Sequence, residues 1–390
     1  MQAMPIVYNI RNLAVRKAST LFTAFGIALV VFIFTSMLAF EQGLRGALVK
    51  TGHPENVIVL RGGATGEISS YIPREDAALI RGLPEVARDA GGQPLLTADL
   101  LVVVNHPKRG DGAPTNVSVR GISPQAFALR PEVEVVEGRA FRPGVAEVMV
   151  GRSLSRRIRD TGLGDRIRFG GQEWQVAGIF AADGSAYESE IWGDVELFLP
   201  AFDRPGYQSA TFRLSDPGRF DELKRRLEEE PQLEVQVKRE SEFYAGQSKG
   251  LVALLRTLAV FIGIIMSIGA VFGAVNTMYA AVAARTREIG TLIALGFTPG
   301  AVLRSFVLES MMIAGLGGVI GSLLAFLVTN GRSTGTTNWD NFSEITFRLA
   351  VTPGVVGAGI LFALLMGLVG GYLPARRAAR LPVAEAVRAV

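Results

Sequence analysis

Four long stretches without a charged side chain constrain this 390-residue chain more than any other feature. They are Ala18–Phe40, Thr257–Ala284, Ser310–Gly331 and Leu349–Ala375. A helix needs about 20 residues, each rising about 1.5 Å, to cross about 30 Å of hydrocarbon. One helix in a soluble core can be apolar on every side, but four of this length are typical of a membrane protein. The sequence therefore predicts four transmembrane helices.

The first stretch has a second interpretation, because basic residues precede it as they precede a secretory signal peptide. These residues are Arg11, Arg16 and Lys17. The apolar part of a signal peptide is about 7–15 residues long, and this stretch is longer and is followed by no clear small-x-small cleavage site. It is therefore interpreted as a membrane anchor.

Lysine and arginine near the ends of the spans predict the orientation, because they are retained on the cytoplasmic side. They lie before span 1, between spans 2 and 3, and after span 4, at Arg11, Arg16, Lys17, Arg285, Arg287, Arg304, Arg376, Arg377, Arg380 and Arg388. Both termini are expected in the cytoplasm. The membrane is expected to be the inner (plasma) membrane of the cell. Topology then explains the net charge of +4, and nucleic-acid binding is not needed to explain it.

The predicted organisation follows from these spans. It comprises a cytoplasmic amphipathic N-terminus (1–17), span 1 (18–40), a stalk with an extracytoplasmic domain (41–256), span 2 (257–284), a cytoplasmic segment (285–304), span 3 (305–331), an outer loop (332–348), span 4 (349–375) and a cytoplasmic tail (376–390).

The composition limits the chemistry that the chain can perform. It has no cysteine, which excludes disulfides, thiolate metal sites and cysteine nucleophiles. His53 and His106 are the two histidines, and their separation in the sequence argues against a histidine metal centre or acid/base pair. We therefore predict no catalytic residue, no metal ligand and no cofactor in this chain.

The predicted outer domain has the composition of an α+β fold, with short β-branched runs between turn residues. Predicted strands are Asn56–Leu60, Leu100–Val104, Val117–Arg120, Glu147–Val150, Arg166–Phe169, Trp174–Phe180, Val195–Leu199, Thr211–Leu214 and Leu233–Val237. Predicted helices are Arg74–Gly82, Ser153–Arg159 and Arg219–Glu229. Gly170 and Gly171 predict a two-residue hairpin turn. Glu41–Lys50 and Ser241–Arg256 are interpreted as helical stalk extensions of spans 1 and 2; the alternative is loops at the membrane surface.

Inside the spans, pairs of small residues and one carboxylate are candidates for helix packing. Gly269 with Gly273, Gly317 with Gly321, and Gly367 with Gly371 have the small-xxx-small spacing that lets helices approach closely. Glu309 lies about one turn inside span 3, where a carboxylate is costly unless it is paired or near the interface. It is expected either to anchor at the interface near Arg304 or to contact Asn276 of span 2.

The segment between spans 2 and 3, here called the coupling segment, predicts a short amphipathic helix over Arg285–Gly300. Its apolar residues Ile289, Leu292, Ile293 and Gly296 follow i, i+3, i+4, i+7 spacing. This face can rest on the membrane or the helix ends, leaving Arg285, Arg287 and Glu288 free for a protein partner. The residues alone are equally consistent with arginines that only enforce topology.

Several motifs resemble the MacB/FtsX-type ABC transporter permeases, also called type VII or mechanotransmission transporters. In the membrane part they are Asn12–Lys17 with Gly26–Leu29, Asn276–Met278 with Arg285–Leu292 and Ala294–Gly296, and Pro374–Ala379 with Pro382, Glu385 and Ala386. In the outer domain they are Glu147–Gly151, Gly164–Ile167 and Val176–Ile179. The resemblance implies a coupling helix that meets an ATPase, formed here by Arg285, Thr286, Arg287, Glu288, Ile289, Gly290, Leu292 and Gly296.

The resemblance also implies partners. A phosphate-binding loop needs Gly-Lys-Ser/Thr, which the sequence lacks, so ATP and Mg²⁺ are expected on a separate cytoplasmic ABC ATPase present in two copies. A second permease protomer, membrane lipid and a periplasmic adaptor of the membrane-fusion type are the other expected partners. The expected function is export or extraction of a hydrophobic compound, peptide, lipid or lipoprotein. The alternative is regulation of a periplasmic cell-wall hydrolase or signalling protein.

Overall fold

The computed structural model describes residues 17–247, 249–337 and 343–382. The predicted N-terminal segment up to residue 16, the centre of the outer loop at 338–342 and the tail from residue 383 lie outside the described residues. The chain divides into two compact units. The membrane unit comprises Met1–Gln42, Ala253–Arg332 and Leu349–Val390, and the outer unit comprises Gly43–Val252 and Ser333–Arg348.

Within the described ranges, four helices are long and apolar enough to cross a membrane. They are TM1 (Lys17–Val49), TM2 (Lys249–Ala284), TM3 (Pro299–Thr329) and TM4 (Pro353–Ala379). TM3 and TM4 begin alike: a threonine caps the helix and a proline occupies its first turn. Thr298 accepts a hydrogen bond from the backbone N–H of Ala301, and Thr352 accepts one from Val355.

The outer unit is built on one mixed sheet, and a two-stranded hairpin is added to it in the described part of the chain. The strands are β1 (Asn56–Arg61), β2 (Leu96–Pro107), β3 (Pro114–Ile122), β4 (Glu134–Gly138), β5 (Glu147–Gly151), β6 (Arg166–Phe169), β7 (Gln172–Ala181), β8 (Glu190–Asp194), β9 (Ser209–Arg213) and β10 (Val235–Arg239). Their order is β10-β1-β9-β2-β3-β8-β5-β7-β4, and β6 pairs with β7. The β3–β8 and β5–β7 pairs are parallel.

Short helices connect these strands. They are Arg74–Arg81, Ala126–Leu129, Arg152–Ser155, Val195–Ala201, Phe220–Glu228 and Glu240–Gln247, with 3₁₀ turns at Ala186–Ser189 and Pro217–Arg219. Successive side chains of a strand point to opposite sides of the sheet. Strands such as β5 and β8 are buried along their whole length and therefore on both faces, whereas the edge strand β4 is exposed. In β1, Val57 and Val59 join one core cluster, whereas Ile58 and Leu60 join the cluster on the other face.

The predicted strand Val195–Leu199 is wrong, because this segment is helical. Asp194 caps the helix Val195–Ala201 by accepting a hydrogen bond from the N–H of Glu196. Val195, Phe198 and Leu199 are buried at helical spacing, and the neighbouring strand is the preceding segment, β8. The predicted glycine hairpin is confirmed: Phe169 pairs with Gln172, and Gly170 and Gly171 both have positive φ.

The outer loop between TM3 and TM4 folds into a hairpin that packs on the outer unit. Its strands are β11 (Ser333–Thr337) and β12 (Glu344–Arg348), which pair in antiparallel register. Glu344 accepts a hydrogen bond from Thr115 Oγ1 at 2.7 Å and forms ion pairs with Lys108 and Arg157. The sequence predicted only a loop at 332–348, so this docking was missed.

The two segments predicted as stalk are helical where the structure describes them. TM1 continues without a break to Val49. Glu240–Gln247 forms a helix that follows directly from β10, and Lys249–Ala284 is helical beyond Ser248.

Candidate functional site

The coupling segment contains one short helix, Thr286–Ala294, between TM2 and TM3. It ends in a Schellman motif: the N–H of Phe297 bonds to the carbonyl of Leu292, and the N–H of Gly296 bonds to that of Ile293. Gly296 has φ +94°, a conformation that favours glycine. Gly296 therefore terminates the helix and does not continue its apolar face, which corrects the predicted helix over Arg285–Gly300.

The two faces of this helix differ as a docking element requires. Ile289 is buried in a cluster with Val302 and Phe306 of TM3, and Ile293 packs against the same cluster. Arg287 and Glu288 are exposed on the opposite side. Leu295, at the end of the helix, is 71% exposed. The helix thus exposes the charged residues Arg287 and Glu288, with Leu295 at its end. Its other face, which carries Ile289 and Ile293, packs within the membrane unit.

Arg285 precedes this helix and is buried against TM3. Its Nη1 donates a hydrogen bond to Glu309 Oε2 at 2.9 Å, and both side chains are less than 10% exposed. The prediction that Arg285 stays free for a partner is therefore wrong, because its guanidinium neutralises a carboxylate that burial would otherwise penalise. The sequence predicted that Glu309 would lie near Arg304 or contact Asn276, and both of these residues are exposed.

Two of the three predicted glycine pairs lie at helix contacts within the chain. A Cβ on Gly317 would lie 2.7 Å from the Ala24 carbonyl oxygen, and one on Gly321 would lie 2.9 Å from Val31 Cβ, both in TM1. Gly367 and Gly371 of TM4 face TM3: a Cβ on Gly367 would lie 2.6 Å from Ala314 Cβ, and one on Gly371 would lie 2.8 Å from the Ser310 hydroxyl. These four positions allow backbones to approach more closely than any side chain permits.

The third pair behaves differently. Gly269 and Gly273 are exposed on TM2, and a Cβ at either position meets nothing within 4 Å in the described structure. Asn276 is exposed on the same helix, and Phe272 is 70% exposed. This surface of TM2 is therefore not covered by the described residues of its own chain.

Sequence reasoning missed a cluster of buried charges in the outer unit, here called the buried charge network. It consists of Glu67, Asp99, Arg120, Arg130, Glu190 and Glu240. Arg120 donates to both oxygens of Glu67, at 2.7 and 3.0 Å, and to both oxygens of Glu190, at 2.7 and 2.9 Å. Such paired, bidentate bonds are the arrangement in which a fully buried arginine is stable.

The network joins the sheet to the start of the helix that leads to TM2. Arg130 donates to Asp99 of β2 at 2.8 Å and to Glu240 at 3.3 Å. Glu240 also accepts hydrogen bonds from the Tyr187 hydroxyl and from the N–H of His53, which lies just beyond TM1. Within the outer unit, Glu240 therefore links the segment that follows TM1 and the helix Glu240–Gln247 to Arg130 and Tyr187.

The ionisation states of Glu67 and Arg120 follow from their contacts with each other. Burial alone raises the pKa of Glu67, but the charge of Arg120 and its hydrogen bonds outweigh burial and lower that pKa. Burial lowers the pKa of Arg120, whereas the charges of Glu190 and Glu67 raise it well above its ordinary value. The Arg120–Glu67 pair is therefore ionised at neutral pH.

The fold and these sites define a class: a multi-pass membrane protein with a large α+β domain between its first two spans and an amphipathic helix between spans 2 and 3. Residues 20–230 match the family model described as the MacB-like periplasmic core domain. Residues 260–383 match the one described as the FtsX-like permease C-terminal. The chain belongs to the MacB/FtsX-type family of ABC transporter permeases, whose members work with an ATPase.

Relatives of known name cover most of the chain. It is 26% identical over 408 residues to the pyoverdine export ATP-binding/permease protein PvdT of Pseudomonas entomophila. The aligned region covers 97% of this chain and 58% of that protein. It is 24% identical over 295 residues to the uncharacterized ABC transporter permease YknZ of Bacillus subtilis, covering 70% of each. The chain thus spans less than two thirds of the length of PvdT. The extracellular domain of YknZ is similar at 15% identity and a TM-score of 0.36, covering 47% of this chain and 99% of that one.

Proposed function

We propose that this chain is the transmembrane subunit of an ABC transporter in which a partner ATPase moves the periplasmic domain. Two copies of the chain would bind two cytoplasmic ATPase subunits, and those subunits would hold ATP and Mg²⁺. Both termini would be cytoplasmic, and the membrane would be the inner membrane. The cargo would be a hydrophobic compound, peptide, lipid or lipoprotein handled on the outer side, with or without a periplasmic adaptor.

This proposal rests on the difference between the buried and the exposed face of the helix Thr286–Ala294 in the coupling segment. Its apolar face is fixed to the inner ends of the membrane helices, and the Arg285–Glu309 pair fixes its beginning to TM3. A change of conformation in an ATPase bound to Arg287, Glu288 or Leu295 would therefore move TM2 and TM3. The helix Glu240–Gln247 of the outer unit precedes TM2 in the sequence, so movement of TM2 would be passed along the chain to the outer domain.

The surface of TM2 that carries Gly269 and Gly273 supports the second part of the proposal, association of two copies. Small residues on an uncovered face let a second helix approach closely, as in other membrane dimers. The described spans carry few charged side chains, and the buried carboxylate of TM3, Glu309, is paired with Arg285. This also argues against a hydrophilic path through the spans, because transporters of that kind place charged or broken helices at the midplane.

Replacing Arg287 and Glu288 by alanine tests the coupling role. We expect the ABC ATPase recovered with the tagged chain from its native membranes to bind more weakly by about 1–2 kcal/mol, or roughly five- to thirty-fold, because interface charges that are truncated cost this much. Transport-coupled stimulation of ATP hydrolysis should fall with it. The measurement is ATPase recovered per permease, together with its stimulated turnover.

Arg376→Ala is the matched control, because Arg376 is also an exposed arginine, at the corresponding end of TM4. It should leave recovery and stimulation unchanged. The coupling role would be contradicted if the control and the double variant lost ATPase recovery equally. It would also be contradicted if the double variant kept full stimulation of ATP hydrolysis.

A further inference from the structure

The hairpin β11–β12 is joined to TM3 and TM4 by short connections. Residues 330–332 lead from TM3 to β11, and residues 349–352 lead from β12 to TM4. The two connections are paired with each other: the N–H of Gly331 bonds to the carbonyl of Leu349, and the N–H of Leu349 bonds to that of Arg332, both at 2.9 Å. Because so few residues span little distance, movement of TM3 or TM4 would be passed along the chain to the hairpin.

Within the outer unit, the hairpin is held by one carboxylate that lies between two cations. Glu344 Oε2 accepts a hydrogen bond from Thr115 Oγ1 at 2.7 Å and lies 3.2 Å from Lys108 Nζ, while Glu344 Oε1 pairs with Arg157. The side chain of Glu344 is 17% exposed, against 35% for Lys108 and 31% for Arg157. Charges that are partly shielded from water attract each other more strongly than charges on an open surface.

The carboxylate of Glu344 is ionised at neutral pH. Burial alone raises the pKa of this carboxyl group, but the hydrogen bond from Thr115 and the charges of Arg157 and Lys108 outweigh burial and lower the pKa. The attraction between the hairpin and the rest of the outer unit is therefore present under ordinary conditions.

The rest of β12 supports the same contact. The Ser189 Oγ lies 2.9 Å from the backbone N–H of Thr346 and accepts its hydrogen bond, and Arg157 Nη1 donates to Thr346 Oγ1 at 2.6 Å. Arg157 therefore bonds to two residues on one face of the strand, since alternate side chains point the same way. On the other face, Ile345 and Phe347 are buried.

The strand β11 has a glycine at the point where this contact needs space. Gly335 pairs with Thr346 across the hairpin, and a Cβ at residue 335 would overlap the Arg157 guanidinium and the Glu344 carboxylate. Glycine weakens the interior of a strand and commonly marks a close approach of another group. The hairpin is thus built so that Arg157 can reach Glu344.

We propose that Glu344 is a positioning residue that transmits movement of TM3 and TM4 to the outer domain, with Lys108 and Arg157 as its partners. This role rests on the proposed function, because it supplies a route for the movement that the partner ATPase would drive. TM1 and TM2 continue into the outer domain along the chain, whereas TM3 and TM4 are joined to each other on the outer side by this hairpin.

Reversal of charge tests whether these residues hold the hairpin. Glu344→Lys places a third cation beside Lys108 and Arg157 and should release the hairpin, whereas Glu344→Lys/Lys108→Glu/Arg157→Glu restores opposite charges and should hold it again. The measurement is the distance between spin labels at Thr337→Cys and Arg168→Cys, two exposed sites of the outer unit in a chain without native cysteine. We expect a broad distance distribution in Glu344→Lys alone. A narrow distribution in that variant would overturn the proposal.

The role in transmission is tested in the assembly with the partner ATPase, by the ATP-dependent shift in distance between spin labels at Glu229→Cys of two copies. Because Glu344→Lys disconnects two of the four spans from the outer domain, this shift should fall roughly twofold. ATPase recovered per permease should be unchanged, and the charge-reversed triple variant should regain the shift. A full shift with a released hairpin would overturn this inference and leave the proposed function standing. Absence of any shift in the unmodified assembly would instead contradict the proposed function, and this inference with it.

A steric variant and a matched control exclude a general effect of substitution. Gly335→Leu displaces Arg157 from Glu344 without changing any charge, so it should release the hairpin and reduce the shift as Glu344→Lys does. Arg348→Ala removes an exposed arginine of the same strand that forms no ion pair among the described residues, and it should change neither measurement. Equal losses in Arg348→Ala and Glu344→Lys would contradict a specific role for Glu344.

Discussion

Replacing Arg120 by methionine should destabilise the outer domain by about 3–5 kcal/mol, because it leaves buried carboxylates without their counter-charge. Arg120 is fully buried and holds Glu67 and Glu190 by bidentate hydrogen bonds. Unfolding in urea can be followed by tryptophan fluorescence. Trp192 is a direct reporter, since its indole N–H donates to Glu190 at 2.7 Å.

Arg74→Met is the control for this prediction. Arg74 also forms an ion pair with a glutamate, Glu196, but both side chains are about half exposed. Exposed pairs contribute ~0–1 kcal/mol, so this variant should unfold close to the unmodified protein. A similar, small loss in both variants would mean that the buried charge network does not hold the domain together.

Adding one methyl group at Gly321 should also be costly. In Gly321→Ala the new Cβ would overlap the Ala28 carbonyl oxygen and lie 2.9 Å from Val31 Cβ, so TM1 and TM3 must separate. Overpacking of this kind costs typically ~1–3 kcal/mol. The measurement is the stability of the detergent-solubilised protein to heat or to denaturing detergent.

Gly269→Ala supplies a control of opposite expected sign. Its Cβ meets nothing within 4 Å in the described part of the chain, and alanine is favoured over glycine inside a helix by ~0.5–1 kcal/mol. Stability of the single chain should therefore be unchanged or slightly higher. If Gly321→Ala were equally harmless, the close contact between TM1 and TM3 would not exist in the membrane.

The fold class was predictable because long apolar spans and β-branched runs are local patterns. The strand Val195–Leu199 was mispredicted for the same reason: a short apolar run fits both a strand and a buried helix. The capping aspartate, Asp194, was the signal that favoured a helix.

The coupling segment was predictable in composition but not in its contacts. Ile289 and Ile293 pack as their spacing indicated. The pairing of Arg285 with Glu309 joins residues on two elements, and sequence spacing gives no information about which of several arginines meets a buried carboxylate.

The buried charge network could not be predicted for a stronger reason. Asp99, Arg120 and Glu190 meet because β2, β3 and β8 are neighbours in the sheet. Glu67 and Glu240 join them from segments outside these strands. In the sequence each resembles an ordinary charged residue of a soluble domain. The hairpin β11–β12 was missed because its first strand, Ser333–Thr337, is polar and short.

A distance measurement tests most directly whether the outer domain moves in response to ATP. A spin label on Glu229→Cys, an exposed site in a chain without native cysteine, reports the separation of the outer domains in a two-copy assembly. With the partner ATPase bound, we predict that ATP shifts this distance distribution and that the Arg287→Ala/Glu288→Ala variant loses the shift. An identical distribution with and without ATP, in an assembly that hydrolyses ATP, would contradict the account.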